Sequence, residues 1–342
     1  DIDLTYRDQD TPVVTYDSEW QNSRQKAKVI VTKKEKDSDR VLEGGVFALC
    51  AKEDIKNTDG DVLVKADTIM EQKATDKDGK IFFTADLPVG GSFYVKEVKA
   101  PAGFVTTEEV KEFTFEYAGA DVPEVTFEHT FENEATIFEI TKSDLTTGVE
   151  LDGATLTVLD KDGNEIDKWT SVKGEPHIIK RLHVGETYIL REEFAPYGYL
   201  KAEEVEFTIT DTAEIQKVEM KDDVPIGRII INKKGEFLSE VSWNDMVAGA
   251  MDSIWGYVTG SLKDVTFEIY AREDIKAADG ESDDYYKKDE LVATIKTDEL
   301  GIARTDDLPL GKYYVVEKET ADGFVLDGEP RDIDLTYRDQ NT

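Results

Sequence analysis

A chain of 342 residues has room for two or three domains of ordinary size, and its 75 acidic against 41 basic residues leave a formal charge of −34. That charge excludes DNA, RNA and anionic membranes as partners, because the surface repels phosphate. No run approaches the roughly eighteen apolar residues of a membrane helix and no signal peptide opens the chain, so neither insertion nor targeting is expected.

The opening DIDLTYRDQDT returns as the closing DIDLTYRDQNT, alike at ten of eleven positions, with Asp10 against Asn341, at an offset of 331 residues. A long period marks an array of units. The chain is therefore expected to be about one period of a longer tandem array. In this reading residues 1–24 are trailing strands of a preceding repeat, and residues 12–22 are a last strand separated from its domain. Three repeats follow at 25–135, 136–224 and 225–342, the last one without its final strand.

The first repeat places Lys33 in VIVTKKEKD, Glu97 in FYVKEVKAPAGF and Asn133 in VTFEHTFENE. Alternating runs such as KVIVT, FYVKEV, EFTFEY and EVTFEHTF predict antiparallel strands with one buried face. Asp78-Gly79, between strand-like runs, suits a hairpin needing positive φ, as Asp162-Gly163 does in the second repeat, and Asp59-Gly60 suits the same conformation in a longer loop. The KEDIKN run predicts a short helix or turn followed by a polar insertion. Cys50, in GVFALCAKED, is the sole cysteine, so no disulfide forms within the chain.

The second repeat carries Lys142 in FEITKSD, Glu192 in YILREEFAPYGY and Asp222 in KVEMKDD. TLTVLD and EFTITD alternate as strands, and Asp162-Gly163 lies between strand-like runs. It has no counterpart of the polar insertion and is expected to be the smallest unit.

The third repeat has Lys233 in IIINKKGE, Glu317 in YYVVEKETADGF, strand patterns VTFEIYA and KYYVVEKE, and a REDIKA turn with its own insertion at Asp279-Gly280. Between Lys233 and Val265, the residues Trp243, Val247, Ala250, Met251, Ile254, Trp255 and Val258 recur at helical intervals. They predict an amphipathic helix, with Ser242 as N-cap and Gly260 as stop. Its apolar stripe packs on the repeat's own sheet or meets a partner. No Asn or Asp follows Glu317 in the expected context. The missing element is found in EWQNSRQ, where Asn22 follows Trp20 as Asn133 follows Phe131.

Taken singly, a Lys, a Glu and an Asn are the ingredients of a surface ion pair. Recurring together in the same local contexts, they point to chemistry. Burial disfavours charge, lowering the Lys pKa and raising that of Glu. A neutral amine can then attack the carboxamide while Glu polarises the carbonyl and carries protons to the leaving ammonia. With Asp222 the leaving group is water. Each unit would react once, on itself, giving an isopeptide between its first and last strands, with Glu97, Glu192 and Glu317 as the catalytic acids. No metal or other cofactor is expected: the Asp-rich loops lack a full twelve-residue calcium loop with its closing Glu. His129, His177 and His183 sit in no catalytic motif.

The run I-x-K, then LEGGVFAL or LDGATLTV, then Y-x-x-x-E-x-x-AP-x-GY or its variant, then an aromatic-x-Asn ending, resembles the collagen-adhesin B-type, SpaA-like domains of Gram-positive surface proteins and pilins. The likeness covers essentially the whole chain. It implies an all-β fold of tandem reversed immunoglobulin-like sandwiches, autocatalytic Lys-Asn and Lys-Asp bonds, and display outside a Gram-positive cell on its wall. The implied function is a structural stalk repeat whose partners are the neighbouring repeats of the same protein; a repeated adhesion module for a host protein or glycan is the alternative, with Trp169, Tyr197 and Tyr199 as candidate contacts. No enzyme acting on an external substrate is implied. The third repeat departs from the pattern at TADGF and in its helical segment. Asn22 of a neighbouring chain is expected to complete it with Lys233 and Glu317.

Overall fold

A computed structural model describes residues 2–5, 7–10, 13, 15–243 and 253–341, and among them every regular element is a β-strand. The first repeat comprises β1 (Lys26–Glu35), β2 (Val46–Ala51), β3 (Ile55–Lys56), β4 (Val62–Val64), β5 (Ile69–Ala74), β6 (Lys80–Phe83), β7 (Ser92–Lys99), β8 (Val110–Thr114) and β9 (Glu124–Asn133). The second comprises β10 (Ile137–Asp144), β11 (Thr155–Asp160), β12 (Glu165–Thr170), β13 (His177–Lys180), β14 (Thr187–Phe194), β15 (Val205–Thr208) and β16 (Gln216–Asp222). The third comprises β17 (Ile226–Gly227), β18 (Ile230–Asn232), β19 (Lys234–Trp243), β20 (Ser253–Ser261), β21 (Thr266–Ala271), β22 (Leu291–Lys296), β23 (Ile302–Arg304), β24 (Leu308–Pro309), β25 (Gly311–Glu319) and β26 (Arg331–Leu335).

The same sheets recur. In the first repeat the orders are β6-β1-β9 and β5-β2-β7-β8; in the second, β13-β10-β16 and β12-β11-β14-β15. Side chains from both sheets of the first repeat meet in one core, with Val29, Val31, Ile81, Phe83 and Phe131 from one and Phe47, Leu49, Phe93 and Val95 from the other. The third repeat has the four-stranded sheet β22-β21-β25-β26 and, opposite it in the core, the pair β18-β23, joined through Ile229, Ala303, Phe267, Ile269, Tyr313 and Val315. Two compact units divide the chain: Asp1–Ile137 with Lys180–Gly185 and Ile209–Glu214, and Phe138–Ile179 with Glu186–Thr208 and Ile215–Thr342.

The strands expected from alternation are present, but one pairing is of another kind. β1 pairs with β6 antiparallel and with β9 parallel, and β10 pairs with β16 parallel. Alternation fixes which face a residue takes and says nothing of strand direction. Asp78-Gly79 does turn at positive φ, 67° at Gly79, yet it joins strands of two different sheets rather than a hairpin; Asp162-Gly163 does close the β11–β12 hairpin. The KEDIKN run forms no helix: Ile55–Lys56 pairs with Val62–Val64, and in the third repeat Ile275 bridges Tyr286.

The helix expected in the third repeat is absent among the described residues, which form two strands instead. Trp243 ends β19, and Ile254, Trp255 and Val258 lie on β20, its antiparallel partner; Val247, Ala250 and Met251 fall outside the described residues. The supposed cap Ser242 pairs with Ile254, and the supposed stop Gly260 pairs with Gly235. On a strand the supposed stripe is split, adjacent Ile254 and Trp255 facing opposite ways, and the cross-strand pairs Leu238–Tyr257 and Val241–Trp255 unite aromatic and branched side chains that favour a pleated surface. At the base of the ribbon Phe237 meets the edge of Phe324 at 5.4 Å between ring centres.

Backbone hydrogen bonds hold the lysine strand of each repeat in place. Lys33 N–H donates to Gly79 O at 2.7 Å and its carbonyl accepts from Leu42 N–H at 3.0 Å; Lys233 is held likewise by Gly301 at 2.8 Å and Leu262 at 3.0 Å. The Lys142 carbonyl accepts from Leu151 N–H at 2.9 Å. A Cβ on Gly79 would lie 2.7 Å from Val41 Cβ and 2.8 Å from Lys33 O, on backbone that is already left-handed. Gly79→Ala is therefore predicted to destabilise the first repeat by about 1–3 kcal/mol. Thermal denaturation checks this; an unchanged melting temperature contradicts it.

Candidate functional site

In the first two repeats each Lys, Glu and Asn or Asp named from the sequence continues an inward-facing row of apolar residues. On β1 the row is Val29, Val31, Lys33; on β7 it is Phe93, Val95, Glu97; on β9 it ends Phe131, Asn133. The second repeat repeats it with Phe138, Ile140, Lys142, with Tyr188, Leu190, Glu192, and with Met220, Asp222. A period of two thus carries polar groups into the sandwich at the end of each row.

Parallel register brings the lysine and the Asn or Asp to neighbouring positions of one face. Lys33 pairs with Phe131 and Glu35 with Asn133; Lys142 pairs with Met220 and Asp144 with Asp222. In both repeats the acceptor stands two residues beyond the partner of the lysine, on the same face. The glutamates arrive from the opposite sheet. Glu97 pairs with Phe47, Glu192 with Leu156 and Glu317 with Phe267, and in each case the register slips immediately afterwards. The extra residue, Val98, Glu193 or Lys318, forms a β-bulge, a device that bends the strand and re-aims a neighbouring side chain. No residue pattern marks these bulges beyond the common Glu-x-x spacing to the following turn.

In the first repeat Lys33 and Glu97 are buried ion partners, with Nζ 4.0 Å from Oε1. Asn133 Nδ2 donates to Glu97 Oε1 at 3.0 Å and Oε2 at 2.9 Å, and Thr107 N–H donates to Oε2 at 2.8 Å. The carboxamide nitrogen, rather than the expected oxygen, faces the acid. Lys33 Nζ and Asn133 Oδ1 are buried without a hydrogen-bond partner. Desolvation pushes the Lys33 amine down to about 8 from 10.5, against the pull of Glu97. Desolvation also raises Glu97, partly offset by the hydrogen bonds from Thr107 and Asn133.

The second site is drawn tighter. Lys142 Nζ hydrogen-bonds Asp222 Oδ1 and lies 3.2 Å from Glu192 Oε1, with all three side chains buried. Ala202 N–H donates to Glu192 Oε2 at 2.7 Å, ten residues downstream, as Thr107 does to Glu97. Desolvation raises the Asp222 carboxyl against the attraction of Lys142, and Glu192 adds to the rise. Thr107 and Ala202, which hold the acids by backbone alone, left no side-chain signature to find.

The third site holds two of its three expected members. Lys233 Nζ donates to Glu317 Oε2 at 2.6 Å, the lysine side chain being 21 % exposed, and Glu317 Oε1 is buried without a partner. Asn22 is exposed, in a segment without regular secondary structure. Of the aromatic residues considered for binding, Tyr197 is exposed, Trp169 stacks on His177, and Tyr199 is buried with its hydroxyl donating to Asp144 at 2.8 Å. Cys50 is buried among the core strands.

The SpaA model of a prealbumin-like fold domain matches the chain three times, over residues 27–130, 136–224 and 257–342. The chain belongs to this family. Among solved structures it is similar to the TIE protein of Bacillus anthracis, at 25 % identity over 93 % of this chain and 49 % of that one, with a TM-score of 0.48. It is also similar to a streptococcal ancillary pilin, at 25 % identity over 60 % of this chain and 64 % of that one, TM-score 0.28. The major pilin subunit of Bacillus cereus matches at 16 % identity over 93 % of this chain and 98 % of that one, TM-score 0.40. The chain spans about half the length of the TIE protein. No curated protein matches it.

The depressed Lys33 value has a measurable consequence where the amine is left free. Between about 8 and 10.5 the unfolded chain holds a proton that the folded one has released, so stability rises with pH across that window. An Asn133→Ala variant is predicted to gain about 2–3 kcal/mol over this range relative to the same variant with Lys33→Met. Denaturant titrations at the two ends test it, and a constant difference would sink the assignment.

Proposed function

We propose that the chain is a structural stalk segment of a Gram-positive surface protein or pilus-like assembly, stiffened by isopeptide bonds that its own repeats make. The observation that carries this reading is the pair of buried atoms without a hydrogen bond in the first site, Lys33 Nζ and Asn133 Oδ1, on the two groups that condensation would join. A buried ammonium without a hydrogen bond is strongly disfavoured, whereas a neutral amine in that position is a nucleophile.

The steps follow from the groups present. Lys33 passes its proton to Glu97, leaving a neutral amine and a neutral acid in a low-dielectric site. A half-turn of the Asn133 carboxamide then sets Oδ1 where Nδ2 now meets Glu97, so the acid polarises the carbonyl. Nζ attacks Cγ, Glu97 relays a proton from the nitrogen to Nδ2, and ammonia leaves. Lys142 and Asp222 condense in the same way through Glu192, releasing water. Holding the reactants together supplies roughly 7–11 kcal/mol of the barrier reduction in well-oriented systems. Each site turns over once, so the chain is not an enzyme in the ordinary sense.

The products would tie β1 to β9 and β10 to β16. By the loop-entropy model, closing a loop of about a hundred residues stabilises by roughly 4–5 kcal/mol. Tension entering along a first strand and leaving along a last strand would pass through the covalent bridge, so the strands between would carry little of it. The partners of such a segment are the repeats before and after it, and the acidic surface suits an extracellular rod that stays soluble.

Intact mass tests the proposal. The mature chain is expected to weigh about 35 Da less than the sum of its residues, from one ammonia and one water. Glu97→Ala should leave a deficit of about 18 Da and Glu192→Ala one of about 17 Da, the two sites being independent. A chain of full mass contradicts the proposal, as does a deficit that survives both substitutions.

A further inference from the structure

We propose that loops of the following repeat position the buried glutamate of the repeat before it, with Asp211 the positioning residue for the first site and Gln340 for the second. This deepens the isopeptide reading above and rests on it.

The connection runs through three successive backbone N–H groups. In the first repeat Val105 N–H donates to Glu134 O at 2.9 Å, Thr106 N–H to Asp211 Oδ1 at 2.9 Å and Thr107 N–H to Glu97 Oε2 at 2.8 Å. In the second, Leu200 N–H donates to Asp223 O at 2.8 Å, Lys201 N–H to Gln340 O at 3.0 Å and Ala202 N–H to Glu192 Oε2 at 2.7 Å. The two series match position by position. The first N–H is tied to the residue just after Asn133 or Asp222, the second to the next repeat, and the third to the glutamate. Asp211 supplies a side-chain oxygen and Gln340 a main-chain one, so what recurs is the place of the contact and not the residue type.

Residues 105–109 and 200–204 lie outside the strands, between the one that carries the glutamate and the one after it. With no ladder to fix such a segment, its place depends on what its own N–H groups bind. Planar peptides hold consecutive Cα atoms about 3.8 Å apart, so anchoring the middle N–H leaves the next one, which grips the carboxylate, little freedom to wander.

Further contacts hold the following repeat against the same stretch. Lys180–Gly185 and Ile209–Glu214, both segments of the second repeat, group by their contacts with the first. A Cβ on Gly103 would lie 2.6 Å from Arg181 O, and the Arg181 guanidinium donates to Glu35, the register partner of Asn133, at 2.8 Å. At the second site Gln340 Oε1 accepts from Ala195 N–H at 2.9 Å, and the Tyr337 hydroxyl donates to Tyr199 O at 3.2 Å. Lysine, glutamate and Asn or Asp all belong to one repeat, while the hold on the glutamate is shared with the next. Asp211 and Gln340 take no proton and touch no reacting atom; the covalent step is the one given above. Its consequence is an order of events, in which a repeat closes its bond after the loops of its successor are in place.

The test follows the full chain after a pulse of cell-free synthesis, with samples digested over time and the Lys33–Asn133 and Lys142–Asp222 cross-linked fragments weighed. Asp211→Ala removes the partner of Thr106 N–H and is expected to slow ammonia loss from the first repeat by about ten- to a hundredfold, the scale of a misplaced catalytic group. Water loss from the second repeat should keep its wild-type rate. Asp211→Asn keeps a side-chain oxygen for Thr106 N–H and should restore most of the rate, a recovery that a role for the negative charge would not give. An Asp211→Ala chain that closes its first bond at the wild-type rate overturns the proposal. So does an Asn variant as slow as the Ala one, or equal slowing at both sites. A wild-type chain that never loses ammonia or water overturns instead the chemistry on which the proposal rests.

Discussion

Parallel pairing of the first strand with the last is the constraint on which the remaining features of these repeats depend. In a sandwich of otherwise antiparallel strands, it lays two chain segments about a hundred or eighty residues apart side by side in one direction. Residues two apart on neighbouring parallel strands then share a face, and the acceptor comes to the lysine without any distortion of the ladder. The geometry belongs to the sheet; the side chains only have to be at the right positions along it.

Burial gives that geometry its chemical meaning. The lysine and the glutamate occupy places that Val29 and Val31, or Phe93 and Val95, prepare for an apolar side chain. Placing ionisable groups there costs stability until they are neutralised or joined, which is why desolvation is the leading influence on Lys33, Glu97 and Asp222 alike. The bulge after each glutamate and the single backbone N–H that holds it in the first two repeats reduce the acid's freedom without neutralising it.

The third repeat shows what the arrangement looks like with only part of the sheet among the described residues. Its lysine is partly exposed and bound to glutamate at close range, while in the first repeat the corresponding distance is 4.0 Å and the acid engages the acceptor instead. Its lysine backbone is nonetheless fixed by the same glycine turn and leucine N–H as in the first repeat. The frame of the site is therefore a property of the repeat, and its closure depends on which strand lies beside β18.

Much of this was legible in residue order. Alternation gave the strands, and the recurrence of Lys, Glu and Asn or Asp in like contexts named the side chains that meet inside the first two repeats, because inward-facing periodicity and turn residues are local properties; Asn22, named by its likeness to Asn133, is exposed and away from regular structure. Residues 234–261 were not legible, since the residues that share one face of a helix fall on both faces of a strand, as adjacent Ile254 and Trp255 do on β20, and the ribbon is set by cross-strand pairs such as Leu238–Tyr257 and Val241–Trp255 that residue spacing does not encode. Nor could the sequence give strand direction, the bulges after the glutamates, or the backbone donors of Thr107 and Ala202. These are relations between distant segments, set only when the two sheets pack, and it is they that decide whether a lysine faces water or an amide.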